Sequence, residues 1–94
     1  MNILKVSSKS NPNLVAGAIA GAVRECGRTE LQAVGAGATN QAVKAIAIAN
    51  GFFAEAELQL LCQPQFIEVK IDNEDRTAIR LLVRAVPLNG QIQF

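Results

Sequence analysis

The stretch Gly35-Ala36-Gly37-Ala38-Thr39-Asn40-Gln41-Ala42-Val43-Lys44 decides how the rest of the chain is read. Before it, Leu31-Gln32-Ala33-Val34 reads as a short strand; after it, a helical pattern runs from about Asn40 to Phe53. A strand that passes through two glycines into a helix leaves several backbone N–H groups without partners at the helix start, where the helix dipole is positive. Two readings are open. Gly35 and Gly37 either only permit a tight turn and close packing, or they also offer those amides to an anion. The run is not a dinucleotide fingerprint, because Asn40 stands where the third glycine would be and the chain has too few strands. A phosphate-binding lysine in the Gly-Lys-Ser/Thr arrangement is also missing.

Toward the N-terminus, Ile3-Leu4-Lys5-Val6 reads as a strand with Leu4 and Val6 on one side, followed by the polar loop Ser7-Ser8-Lys9-Ser10-Asn11. Asn11 before Pro12 is a helix start: the Asn side chain can cap free amides, and proline at the first helical position loses no bond. The helix is expected from Pro12 to about Cys26, with Gly27 ending it in the left-handed conformation. Val15, Ala18, Ile19, Ala22, Val23 and Cys26 make its expected buried stripe, and Ala16, Gly17, Ala20 and Gly21 a face on which another backbone can come close. In the second helix Lys44 is the only charge, and Val43, Ile46, Ala47 and Asn50 are placed toward the sheet.

Toward the C-terminus the period changes to two. Leu58 to Ile71 reads as a long strand broken at Pro64 by a bulge or marking a sheet edge. Asp72-Asn73-Glu74-Asp75 reads as the turn, and the strand through Thr77, Ile79, Leu81 and Val83 returns with Arg76, Arg80 and Arg84 on its polar side, within reach of Glu68 and Lys70. The order is strand, helix, strand, helix, strand, strand. A parallel first pair and a final hairpin make the sheet mixed.

One small domain is all that 94 residues allow. Half the residues are hydrophobic and 18% are charged, an excess of apolar surface that predicts a homo-oligomer. No apolar run approaches the ~20 residues that span a bilayer. Met1 to Ser10 lacks a signal-peptide core, so a cytoplasmic location and no membrane partner are expected. The net charge of +1 is uninformative, although Lys5, Lys9, Arg24, Arg28 and Lys44 outnumber Glu25 and Glu30 in the first half, as a basic face or merely a solvated one.

Catalysis is not expected. There is no histidine or tyrosine, Cys26 and Cys62 read as buried small hydrophobes, and the acids at Asp72 to Asp75 read as a solvated hairpin tip. No metal or other cofactor is implied. The aromatics are Phe52, Phe53, Phe66 and Phe94; with Phe52 and Phe66 assigned to the core, little is left for base stacking, so any nucleic acid would be held by its phosphates.

The runs Ile3 to Ser10, Val15 to Gly21, Gly35 to Ile46 and Asp75 to Ile79 resemble the bacterial stage V sporulation protein S family over roughly residues 2 to 86. The resemblance implies an α+β, Alba-like two-layer sandwich over residues 1–86, with two helices on one face of a mixed four-stranded sheet. It also implies a dimer or higher oligomer, no enzymatic activity, and a regulatory role in sporulation or development with DNA or RNA as partner. Residues 87–94 form a tail beyond it. The more distant archaeal Alba proteins bind nucleic acid with basic residues after the first strand, at the second strand-to-helix junction and on the hairpin. That mapping keeps Lys9 on the loop and Arg76 and Arg80 on the hairpin and puts Gly35 and Gly37 at the junction; with Ser8 beside Lys9, and Asn40 and Lys44 at the start of the second helix, these are the candidate phosphate-contacting positions. Gly35 and Gly37 stand where those relatives carry arginines, which leaves room for a smaller phosphorylated ligand at Gly35 to Asn40. A protein-interaction scaffold without nucleic acid is the remaining alternative.

Overall fold

The computed structural model describes residues 3–88. Asn11 and Pro12 start the first helix as expected: the Asn11 side-chain oxygen accepts a hydrogen bond from the Asn13 N–H at 2.9 Å, a cap worth about 1 kcal/mol. The helix, α1 (Pro12–Cys26), ends at Gly27, whose φ of 80° lets its N–H turn back to the Val23 carbonyl at 2.7 Å. The other elements are β1 (Ile3–Val6), β2 (Arg28–Ala33), α2 (Ala36–Gly51), a 3-10 turn at Ala54–Ala56, β3 (Leu58–Ile71) and β4 (Glu74–Pro87). Residues 89–94 of the expected tail lie outside the described residues, and Pro87 itself belongs to β4.

The strands form one mixed sheet in the order β1-β2-β4-β3. β1 runs parallel to β2 with Leu4 beside Leu31, and both other pairings are antiparallel. Alternation along the strands sends Leu4, Val6, Leu31, Leu81 and Val83 to one face, where they join Ile19 and Val23 of α1, Ala45 and Ala49 of α2, and Phe53 in a single core. This is the α+β architecture, two helices against a mixed four-stranded sheet, that the Alba-like resemblance implies. β3 and β4 have 14 residues each, about 46 Å at ~3.3 Å per residue, which matches the 45 Å long axis of the molecule. Their ladder therefore extends beyond the helices as an arm.

Several expectations are corrected. β2 begins at Arg28 rather than Leu31, because Thr29 packs on the helix side of the sheet and is buried while Glu30 is covered on the other. α2 begins at Ala36 rather than near Asn40, taking most of the glycine stretch into its first turn. Pro64 causes no bulge: the pairing runs without a slip from Leu58 opposite Pro87 to Ile71 opposite Glu74. β3 is the edge strand, where one side of the backbone is unpaired and a missing donor is tolerated. The turn tightens to Asp72 and Asn73, both at positive φ (51° and 65°), while Glu74 and Asp75 join β4.

Glu68 and Lys70 do not meet the arginines. Glu68 stands opposite Thr77, whose hydroxyl donates to Glu68 Oε1 at 3.2 Å, and Lys70 opposite Asp75 at 4.0 Å. Arg76, Arg80 and Arg84 project from the opposite face.

The helix stripes also differ. On α1 the buried residues are Ala16, Ile19, Ala20 and Val23; Ala18, Gly17, Gly21 and Cys26 are exposed. On α2 they are Ala38, Ala42, Ala45 and Ala49; Val43 and Ala47 face outward, while Asn50, although exposed, reaches the sheet as expected, its side-chain oxygen accepting from the Leu60 N–H at 2.8 Å. The buried side of α2 is all alanine because that helix packs closely on α1 and the sheet, while α1 contributes the larger Ile19 and Val23 beside its own alanines. Phe66 is 79% exposed and Phe52 49% exposed, against the expectation that both are core. Phe53, 3% exposed, takes that place, with the Arg24 guanidinium 5.2 Å from its ring centroid. Both cysteines are exposed rather than buried.

Candidate nucleic-acid interface

Gly35 and Gly37 have separate tasks at the junction of β2 and α2. Gly35 is the N-cap of α2, at φ 89° and ψ 163°, a region that is essentially closed to residues with a side chain. It has no side chain with which to cap the helix, so the amides of the first turn remain without a side-chain partner. Thr39 turns its hydroxyl back to the Gly35 carbonyl at 2.9 Å. Gly37 lies within the helix and makes room for a neighbour, because a Cβ there would fall 3.0 Å from Ser8 Cβ.

That neighbour is the loop after β1. The Ser10 N–H donates to the Ser7 carbonyl at 3.1 Å, the Ser7 N–H to Ser10 Oγ at 2.9 Å, and the Lys9 N–H to Ser7 Oγ at 3.2 Å. The loop is then tied to α2 by Gln41, whose side-chain amide donates to the Ser10 carbonyl at 2.9 Å. These bonds hold exposed Lys9 next to the start of α2. Gly37 stands three and four positions before Asn40 and Gln41, and Lys44 four and three positions after them, so the four share a side of the helix. Lys44 is in the third turn of α2, ~12 Å along the axis from Ala36. It extends the polar row away from the free amides instead of closing over them.

The hairpin approaches the same loop from the other side. Lys5, Ser7, Ser8, Val34, Val69 and Ile71 line a groove of about 350 Å³. Arg76 stands directly opposite Val69 in the β3–β4 ladder, and is exposed beside that groove. Arg80 is set apart: its Nε donates to Gln65 Oε1 at 3.1 Å, its Nη2 donates to the same oxygen, and it lines a different concavity of the sheet.

Ser8, Lys9, Gly35, Gly37, Asn40 and Lys44 are thus brought to one neighbourhood, with Arg76 across the groove and Arg80 outside it. A sequence model of the family described as Stage V sporulation protein S (SpoVS) matches residues 2–86. The chain belongs to that family. Membership makes the chain a small protein related to sporulation, in line with the resemblance carried by Gly35 to Ile46. Among the described residues no helix is long and apolar enough to cross a membrane.

Sequence reasoning missed three residues that build this sporulation-family site: Ser7 and Ser10, which close the loop, and Gln41, which anchors it. The Ser-x-x-Ser spacing is a local signal for the first two, since short hydroxyl side chains three apart can satisfy a turn. Nothing local marks Gln41, whose partner lies 31 positions away.

Proposed function

We propose that this chain is a non-enzymatic regulator that binds DNA or RNA through the phosphate backbone, acting in the cytoplasm as a homo-oligomer within a sporulation or developmental programme. One observation carries the reading: the serine-closed loop is seated on the first turn of α2, so that Lys9, the free amides, Asn40 and Lys44 form a continuous polar strip with Arg76 on the arm beyond the groove. Cations and exposed amides of this kind hold phosphate oxygens without reading bases. Exposed apolar side chains on both helices, Leu14 and Val43 among them, support the oligomer.

Fluorescence anisotropy on labelled single- and double-stranded oligonucleotides, titrated with salt, tests it. If a dimer neutralises about four phosphates, log affinity falls with log salt at a slope of about −3.6 on duplex DNA. Lys9→Ala and Lys44→Ala each flatten that slope. Affinity that is absent at low salt, or indifferent to both variants, rejects the reading and favours the alternative, a scaffold that recognises another protein through Val43, Phe52 and Phe66, which are all exposed.

A further inference from the structure

The sheet face that carries no helix gathers three arginines at the end away from the hairpin tip. Arg28 and Glu30 of β2, Arg80, Leu82 and Arg84 of β4, and Leu61 of β3 line a concavity of about 530 Å³, within the ~300–1,000 Å³ of small-molecule pockets. The ladder sets Arg28 directly opposite Arg84 and Glu30 opposite Leu82. Like charges facing each other across a ladder oppose sheet formation. Among the described residues neither arginine forms an ion pair; the one that is formed, Lys70 with Asp75, is at the far end of the hairpin. Glu30, the only acid in the concavity, is 5% exposed and accepts a hydrogen bond from the Gln32 side chain at 2.8 Å. Three arginines against the one carboxylate leave the concavity with an excess of positive charge, and among the described residues neither Arg28 nor Arg84 is held in an ion pair.

The surroundings add shape to that charge. Leu82 lies between Arg80 and Arg84 on the same strand face, and Leu61 lies opposite Arg84 on β3. Gln65 holds the Arg80 guanidinium by two donors to one oxygen, fixing its direction. Paired guanidiniums suit phosphoryl oxygens, which they can grip with two donors each. The leucines suit an uncharged body attached to that group. We propose that this concavity binds a small organic phosphate, with its phosphoryl group between Arg28 and Arg84 and its body on Leu61 and Leu82, reaching toward Arg80. Lys9, Asn40 and Lys44 take no part in it, so it stands or falls separately from nucleic-acid binding.

The experiment is a ¹⁵N–¹H NMR titration of the full chain with ADP and with phenyl phosphate, using adenosine and inorganic phosphate as controls. Expected are saturable shifts of the amides of residues 28–30, 61 and 82–84 with at least one of the two organic phosphates, and weaker binding of both controls. Arg28→Gln and Arg84→Gln, both at exposed positions, each reduce affinity about tenfold or more, while Lys9→Ala leaves it unchanged. The spectrum of each variant reports its own folding. The proposal is overturned if neither organic phosphate gives saturable shifts up to about 10 mM, if the shifts map to Gly35–Asn40 instead, if both arginine variants bind as the parent does, or if inorganic phosphate binds as tightly as either organic ligand.

Discussion

Position 37 and Ser8 are in contact in a way that admits only glycine without adjustment: a Cβ built on Gly37 falls 3.0 Å from Ser8 Cβ and 3.9 Å from its Cα. Gly37→Ala sets two effects against each other. Alanine gains at most ~1 kcal/mol of helix propensity over glycine in a helix interior, and less in a first turn. Against this, the Ser7–Ser10 loop must retreat by a few tenths of an ångström, straining the Gln41 to Ser10 bond of 2.9 Å. Global stability should change by less than ~1 kcal/mol, while the amide signals of Ser7 to Ser10 shift and nucleic-acid affinity falls. A variant with unmoved loop signals would show that the contact does not position Lys9.

Gly35→Ala has no such compensation. The N-cap conformation at φ 89° and ψ 163° is one that a β-carbon opposes whatever the free space around it. Holding a non-glycine residue in such a region costs about 1–3 kcal/mol, and each kilocalorie lowers the melting temperature of a domain this size by ~4–8 °C. Thermal unfolding followed by circular dichroism should therefore show Gly35→Ala melting clearly below Gly37→Ala. The reverse order would mean that α2 can start at another residue.

The cysteines separate by environment. Cys62 is exposed as a residue, yet its surroundings are dense enough that burial pushes the thiol pKa above its ordinary value. The thiolate is the reactive form, so in the Cys26→Ser variant Cys62 should alkylate with iodoacetamide at pH 8 more slowly than free cysteine. The same shift has a sign for stability. Above the ordinary thiol pKa the unfolded chain loses this proton before the folded one does, so the folded state binds more protons and stability declines as pH rises through that window. Cys62→Ser should remove that part of the alkaline decline, measured as urea midpoints between pH 8 and pH 10.

Local signals made much of the fold legible. Asn11-Pro12 and Gly27 bracket α1 because capping chemistry is written in adjacent residues, and the period-two run from Leu58 shows the hairpin because side chains alternate across a sheet. What stayed hidden depended on partners distant in sequence. The start of β2 carries Arg28, Thr29 and Glu30, whose polar character masks a strand set by pairing with Leu82, Val83 and Arg84. The alanine stripe of α2 is hidden behind larger Val43, because it depends on the space left by α1, which side-chain hydrophobicity alone does not encode. Phe52 and Phe53 are adjacent and identical in type, and only the end of α2 decides which points inward. At the candidate site the glycines and Lys9 were legible, and their mutual placement through Ser10 and Gln41 was not.

Val43 offers the sharpest test of the proposed oligomer. It is 53% exposed on the outward side of α2, a helix whose only charge is Lys44. Covering the rest of a valine gains about 1 kcal/mol, and a twofold interface counts the contact twice. Val43→Asp removes that gain and adds two poorly solvated carboxylates, so the dissociation constant should rise by at least ~30-fold. Sedimentation velocity at micromolar concentration should then find the parent as a multimer and the variant shifted toward a single chain of 10.0 kDa. The variant remains folded, because an exposed helix position tolerates a charge with little loss of stability. A parent that sediments as one chain would reject the oligomer; a variant that sediments with an unchanged parental multimer would move the interface away from α2, toward the face that carries Phe66.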